Sequence, residues 1–128
     1  LETEYYALDI SRGLVTLLNQ FFVAAGRRPN AACHDLLTDA PLRSADVALL
    51  FKLLPLLERQ EPGTAAALLR RLPARAAVVS FPARSLSGGE KGMRAHYAAF
   101  MADLARELGL SPQTLEFETE TFYLLRLQ

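Results

Sequence analysis

The stretch ADVALLFKLLPLLER, residues 45–59, decides the fold. Residues 47–51 form a continuous apolar run behind Asp46, which suits a strand buried on both faces, as parallel sheets require. Lys52 follows directly and should emerge at the strand's end; the competing reading is a lysine snorkelling from a helix start. Residues 53–59 are too few to type by periodicity. Downstream, Pro62 and Gly63 break the chain before Thr64, read as the N-cap of a helix carrying Leu68, Leu69 and Leu72. Residues 76–81 read as the next buried strand, and the Gly- and Ser-rich residues 82–92 as a loop too polar for a core. Met93, Tyr97, Phe100, Met101, Leu104 and Leu108 then recur at helical spacing up to Gly109. Leu115 and Phe117 alternate with Glu116 and Glu118, and residues 122–127 are apolar, suggesting a terminal strand pair with one wet face.

Upstream, residues 5–10 read as a strand that ends on Asp9, with Ser11 and Gly13 as turn and helix-start signals. Leu14, Leu17, Leu18, Phe21, Phe22 and Ala25 share one helical face, which Gly26 and Pro29 stop. Residues 31–33 read as a short second strand leading to His34 and Asp35. Strands alternating with helices imply right-handed crossovers, so the expected class is α/β with a mostly parallel sheet.

Composition narrows the functions. With 128 residues, 51% of them hydrophobic, one domain has ample material for a core. Fourteen basic residues balance 14 acidic ones, so no global field draws the chain to nucleic acid or membrane. Cys33 is the sole cysteine, and with only His34 and His96 no zinc-ligand spacing exists; we expect a cytoplasmic protein without a structural metal. No apolar run approaches the roughly 20 residues of a membrane helix, and no leader pattern is visible. The sequence opens at Leu1 directly into strand-like residues, so a truncated or processed chain is expected.

Ligands in open α/β sheets gather beyond the carboxyl ends of the strands, where Asp9, Asp35, Lys52 and residues 82–92 should lie. Asp9 suits a pair of ribose hydroxyls or, equally, a turn. Asp35 suits an adenine amino group or, more simply, a solvated turn. LSGGE, residues 86–90, looks like the signature loop of ABC-transporter ATPases, but the chain lacks the upstream GxxxxGK[ST] loop that reading requires. Arg84, Ser85 and Lys91 instead suit a phosphate-backbone clamp, against the alternative of an ordinary loop. Arg70, Arg71, Arg75, Arg84, Lys91 and Arg94 form a basic run in which Glu90 is the only acid, with Glu116, Glu118 and Glu120 expected elsewhere; the asymmetry favours one polyanion-facing side, against the commoner reading of a solvated helix face with scattered arginines. Tyr97, Phe100 and Met101 read as core, and no Ser-His-Asp or Cys-His set is discernible.

Residues 45–59 and VVSFPARSLSGGEKGM, residues 78–93, resemble the aminoglycoside-resistance 16S rRNA guanine-N7 methyltransferases. The first stretch is similar to their strand-four motif and the second to their SFP-x-RSL-x-G-x-x-x-GM loop. Residues 6–13 resemble the family's second strand, 34–37 the end of the third, and ETFYLL, residues 120–125, the closing strand. The resemblance implies a Rossmann-like S-adenosylmethionine-dependent methyltransferase fold in a single catalytic domain, 1–128. It also implies that Asp9 holds the cofactor ribose, that Asp35 with Leu36 borders the adenine, and that Phe51 lies beside the cofactor. Lys52, Arg84 and Ser85 would surround the reacting nucleotide, with Phe81, Lys91 and Met93 against the RNA and Phe81 packing on the base. Guanine N7 is already a nucleophile with a free lone pair, so such a reaction needs alignment rather than a general base. Positive charge passes to the base, so the cations would belong on phosphate or O6.

Two departures from the family pattern matter. The first strand with its glycine-containing loop is absent, as is the helical domain that docks on the 30S subunit, and the tail between Leu108 and Thr121 is short. The missing strand belongs between residues 5–10 and 47–51, so two unpaired apolar edges are expected. A separate N-terminal segment, a swapped neighbour or a displaced strand would close them, and the chain alone should bind cofactor poorly and not methylate. The rival readings are a small-molecule methyltransferase and a non-catalytic interaction domain derived from one.

Overall fold

In the computed structural model, which describes residues 2–38, 40–84 and 92–127, the chain divides into two units, Leu1–Ala40 and Pro41–Gln128, each with its own sheet. In the first unit β1 (Ala7–Asp9) pairs in parallel with β2 (Ala31–Cys33), and α1 (Arg12–Ala24) makes the crossover. Ser11 caps α1, its hydroxyl accepting from Leu14 N at 3.3 Å, so strand becomes helix within two residues. Asn19 stitches α1 to β2 by donating to Ala31 O at 3.0 Å and accepting from Ala31 N at 2.9 Å. Val15, Phe22 and Ala31 form the core, with Ala7 and Leu18 packed against it. The apolar helix face read from the sequence is only partly used, because Leu14, Leu17 and Phe21 are 49%, 60% and 62% exposed. Two strands spaced about 4.8 Å apart are too narrow to cover a full helix face.

The second unit runs β3 (Ala45–Phe51), α2 (Leu54–Gln60), α3 (Thr64–Arg71), β4 (Ala74–Pro82), α4 (Met93–Leu108), β5 (Gln113–Glu116) and β6 (Glu120–Arg126). Its strand order is β3-β4-β6-β5; β3 and β4 are parallel, and β6 and β5 add antiparallel. Residues 53–59, ambiguous in sequence, enter a helix that Pro55 opens and that buries Leu54 and Leu57. Thr64 is not a cap: Gly63, at φ 90°, holds that position, and Glu58 supplies the acceptors for Gly63 N at 3.0 Å and Ala65 N at 2.9 Å. A left-handed residue there favours glycine, which leaves capping to a side chain from the preceding helix. Phe81, Leu54, Leu68, Met101, Leu125 and Val79 are the largest fully enclosed apolar side chains.

The expectation for 47–51 needs correction. Leu50 is buried, whereas Val47, Leu49 and Phe51 are about half exposed, because among the described residues β3 is an edge strand paired with β4 alone. Among the described residues β1 likewise has β2 as its single neighbour, so both strands expected to flank a missing one carry a free edge. The terminal pair forms as read and is antiparallel, but Phe117 and Glu118 fall in the turn, with Phe117 N bonded to Glu120 O at 2.9 Å.

Candidate functional site

In the first unit the carboxyl ends of β1 and β2 carry both candidate carboxylates. Asp9 Oδ1 accepts from Ser11 N at 2.8 Å, and its carbonyl accepts from His34 N at 3.0 Å. Asp35 Oδ1 accepts from Leu37 N at 2.9 Å, while its carbonyl accepts from Thr38 Oγ1 at 2.7 Å. Each carboxylate is oriented by a backbone amide two residues ahead, which leaves a second oxygen over. For Asp9 the turn and ligand readings are therefore compatible. Leu36 is half-buried beside Asp35. His34 Nε2 is buried and has no hydrogen-bond partner among the described residues.

In the second unit, register aligns Phe51 with Ser80, Ser80 with Phe122, and Pro82 with Glu120, so β3, β4 and β6 share one edge. Lys52 stands just beyond β3 in a left-handed conformation, φ 53°. Its amide donates to Ser80 O and Oγ, both at 3.1 Å, and its Nζ lies 3.9 Å from Glu120 Oε2. Ser80 is fully buried and donates its hydroxyl to Glu120 Oε1 at 2.5 Å. Phe51 lies edge-on to Phe122 with ring centroids 5.5 Å apart. Arg84 pairs with Glu118 at 3.2 Å. Arg94, in the first turn of α4, donates to Thr121 Oγ1 at 2.8 Å and to Phe117 O at 2.9 Å, and so ties α4 to the β5–β6 turn. Met93 opens α4 half-buried, while Ser85, Lys91 and LSGGE lie outside the described residues.

Two expectations fail here. Phe81 is fully buried, stacked on Tyr97 at 5.1 Å and edge-on to Phe100 and Tyr123, so no face of its ring is open to a base. The basic run is not one patch. β4 puts Arg75 about 23 Å from Pro82 at 3.3 Å per residue, and Arg84 lies beyond that end; acids compensate the run as well, since Glu118, expected elsewhere, meets Arg84, while Asp46 meets Arg75 and Glu107 meets Arg70.

Against known proteins, the model of the FmrO ribosomal RNA methyltransferase family matches residues 1–124. The chain belongs to this family. It is 41% identical to a 16S rRNA (guanine(1405)-N(7))-methyltransferase of Serratia marcescens, covering 94% of this chain and 48% of that protein. It is 36% identical to the enzyme so named from Frankia casuarinae, over 98% of this chain and 44% of that one. Among solved structures, the 16S rRNA methyltransferase RmtF in complex with S-adenosyl-L-homocysteine superposes with a TM-score of 0.83 at 41% identity, covering 93% of this chain and 46% of that one. The chain thus spans about half the length of the relatives it matches.

For the cofactor of the FmrO family, the nucleoside half fits the residues present. Asp9 and Asp35 offer oriented acceptors at strand ends, and His34 Nε2 is a buried polar atom lacking a partner at the same edge. No group of three or more potential metal-binding side chains occurs among the described residues. Ser80, Glu120 and Arg94 were missed in the sequence. Ser80 opens the quoted SFP motif, Arg94 stands in the basic run and Glu120 heads ETFYLL, but their joint role was not legible, because Ser80 to Glu120 is a contact 40 residues long in sequence.

Proposed function

We propose that the chain forms the substrate-facing part of a single methyltransferase catalytic domain that methylates N7 of a guanine in the 16S rRNA decoding site of the 30S subunit, conferring aminoglycoside resistance. The observation that carries this reading is the family match over residues 1–124. S-Adenosylmethionine, when bound, supplies an electrophilic methyl group on a sulfonium. Asp9 accepts from the ribose hydroxyls, and Asp35 with Leu36 lines the adenine. Lys52 and Arg84, with Ser85, Lys91 and Met93, orient the nucleotide. Because guanine N7 carries a free lone pair, the methyl transfer this cofactor would supply needs no proton removed, so these residues would align the base rather than act as a general base. A segment matching the rest of the relatives, or a swapped neighbour, closes the free edges of β1 and β3. The half-exposed Val47, Leu49 and Phe51 support this. The setting is cytoplasmic, where ribosomes reside; no described helix is long and apolar enough to cross a membrane.

The test is methyl transfer by the protein carrying this chain to purified 30S subunits, mapped by borohydride and aniline cleavage of the rRNA at N7-methylguanine. Cleavage at guanine 1405 is expected; methylation of a small molecule with no rRNA cleavage overturns the reading. In calorimetry the 128-residue chain alone should bind S-adenosylmethionine weakly, and tight binding would contradict the need for a complementing segment.

A further inference from the structure

We propose that Arg94 is a positioning residue for RNA binding: by gripping the turn between β5 and β6 it fixes where Arg84 meets the rRNA backbone. This rests on the rRNA-methylating function above and names what holds an RNA-facing cation in place. Arg94 belongs in sequence to the basic run, yet in the fold it spends its guanidinium on protein oxygens. Nη1 donates to Thr121 Oγ1 at 2.8 Å, and Nη2 donates to Phe117 O at 2.9 Å and to Glu118 O at 3.5 Å. Thr121 is buried, so the fork is fastened to the core. The same turn receives the chain leaving β4, because Ala83 N donates to Thr119 O at 3.0 Å and Arg84 Nη2 lies 3.2 Å from Glu118 Oε1. Glu118 is thus held through its carbonyl by Arg94 and holds Arg84 through its carboxylate.

Helix α4 by itself has no use for this cation. Its first turn carries no acid, its N-cap Gly92 offers no side-chain bond, and a positive charge there opposes the helix dipole. The buried side chains of α4, Met101, Leu104 and Ala105, all lie in its second half, so the core grips the far end and Arg94 the near one. A planar fork with fixed donor directions reaches three oxygens at once, which the compact ammonium of a lysine does not reproduce. The consequence is preorganisation. Arg84 is placed before RNA arrives, so less side-chain ordering has to accompany binding.

The experiment measures equilibrium binding of 30S subunits to the protein carrying this chain across a salt series, with urea unfolding of every variant alongside. Arg84→Ala should weaken binding about tenfold and lower the slope of log K against log salt by about one, the value of a single phosphate contact. Arg94→Gln should lower the slope in the same way, although its guanidinium is turned to protein oxygens. In the double variant the slope should match that of Arg84→Ala alone, since the two substitutions remove one contact. Thr121→Val keeps the buried shape and removes one of the three oxygens, so it should move binding in the same direction more weakly; it decides the matter if Arg94→Gln unfolds. Arg94→Lys should restore little. A slope that falls by about two in the double variant means that Arg94 meets phosphate itself and overturns the proposal. Unchanged binding in Arg84→Ala, or in both Arg94→Gln and Thr121→Val, overturns it as well, and rRNA methylation stands in each case. No methyl transfer to 30S subunits by the unsubstituted protein overturns both readings.

Discussion

The two units share a strand, helix, parallel strand plan but hold their polar edges differently. In Leu1–Ala40 two three-residue strands and one helix enclose, among the described residues, Val15, Phe22 and Ala31, and its candidate carboxylates are fixed by amides two residues away. In Pro41–Gln128 four strands carry a far larger core, and the edge is fixed by Ser80, whose partners Lys52 and Glu120 lie 28 and 40 residues away in sequence. Local turns can orient a ligand group on a thin scaffold, whereas a constellation drawn from three strands needs a core to keep its members in register.

The contrast breaks most readily at the large core. Phe81→Ala should remove about 3–5 kcal/mol from the second unit in urea unfolding, since the ring is fully buried among three aromatic partners; a loss under about 1 kcal/mol would mean that this core is not the unit's anchor. Next comes a division of labour. Asp9→Ala in the protein carrying this chain should weaken calorimetric S-adenosylhomocysteine binding about 10- to 100-fold through the loss of charge-assisted hydrogen bonds. Lys52→Ala and Arg84→Ala should instead reduce ribosome modification and spare nucleoside binding. Unchanged modification in both variants removes their assigned roles.

A smaller effect sharpens the local side of the comparison. Ser11→Ala removes the α1 cap and should cost the first unit about 1 kcal/mol, read as faster amide exchange in α1 without a change in β4 or β6. The smallest is a pH effect in the second unit. Burial raises the Tyr123 phenol above its ordinary value near 10, the charge of Glu116 adding to this and that of Arg94 opposing it. The folded state then holds the proton more tightly than the unfolded chain. This contribution is full below about pH 10 and is lost as pH climbs through the raised folded value. Stability should decline there, and Tyr123→Phe should flatten that decline in denaturant titrations.

Much of this was legible from residues alone, where the cause is local. The strand ending on Asp9, the Ser11 helix start, the helix from Met93 to its left-handed Gly109 and the apolar run before Lys52 all follow from spacing and capping. The two long motifs carried the family. Other features were decided only by which strands became neighbours. Phe81 was read as a surface for the base and is enclosed, because α4 and β6 close over β4. Glu120 was read as remote from the basic residues, yet antiparallel pairing brings it opposite Pro82 and toward Lys52. Periodicity encodes which face of an element is apolar; it does not encode what comes to lie against that face, since such contacts depend on register between segments far apart in the chain.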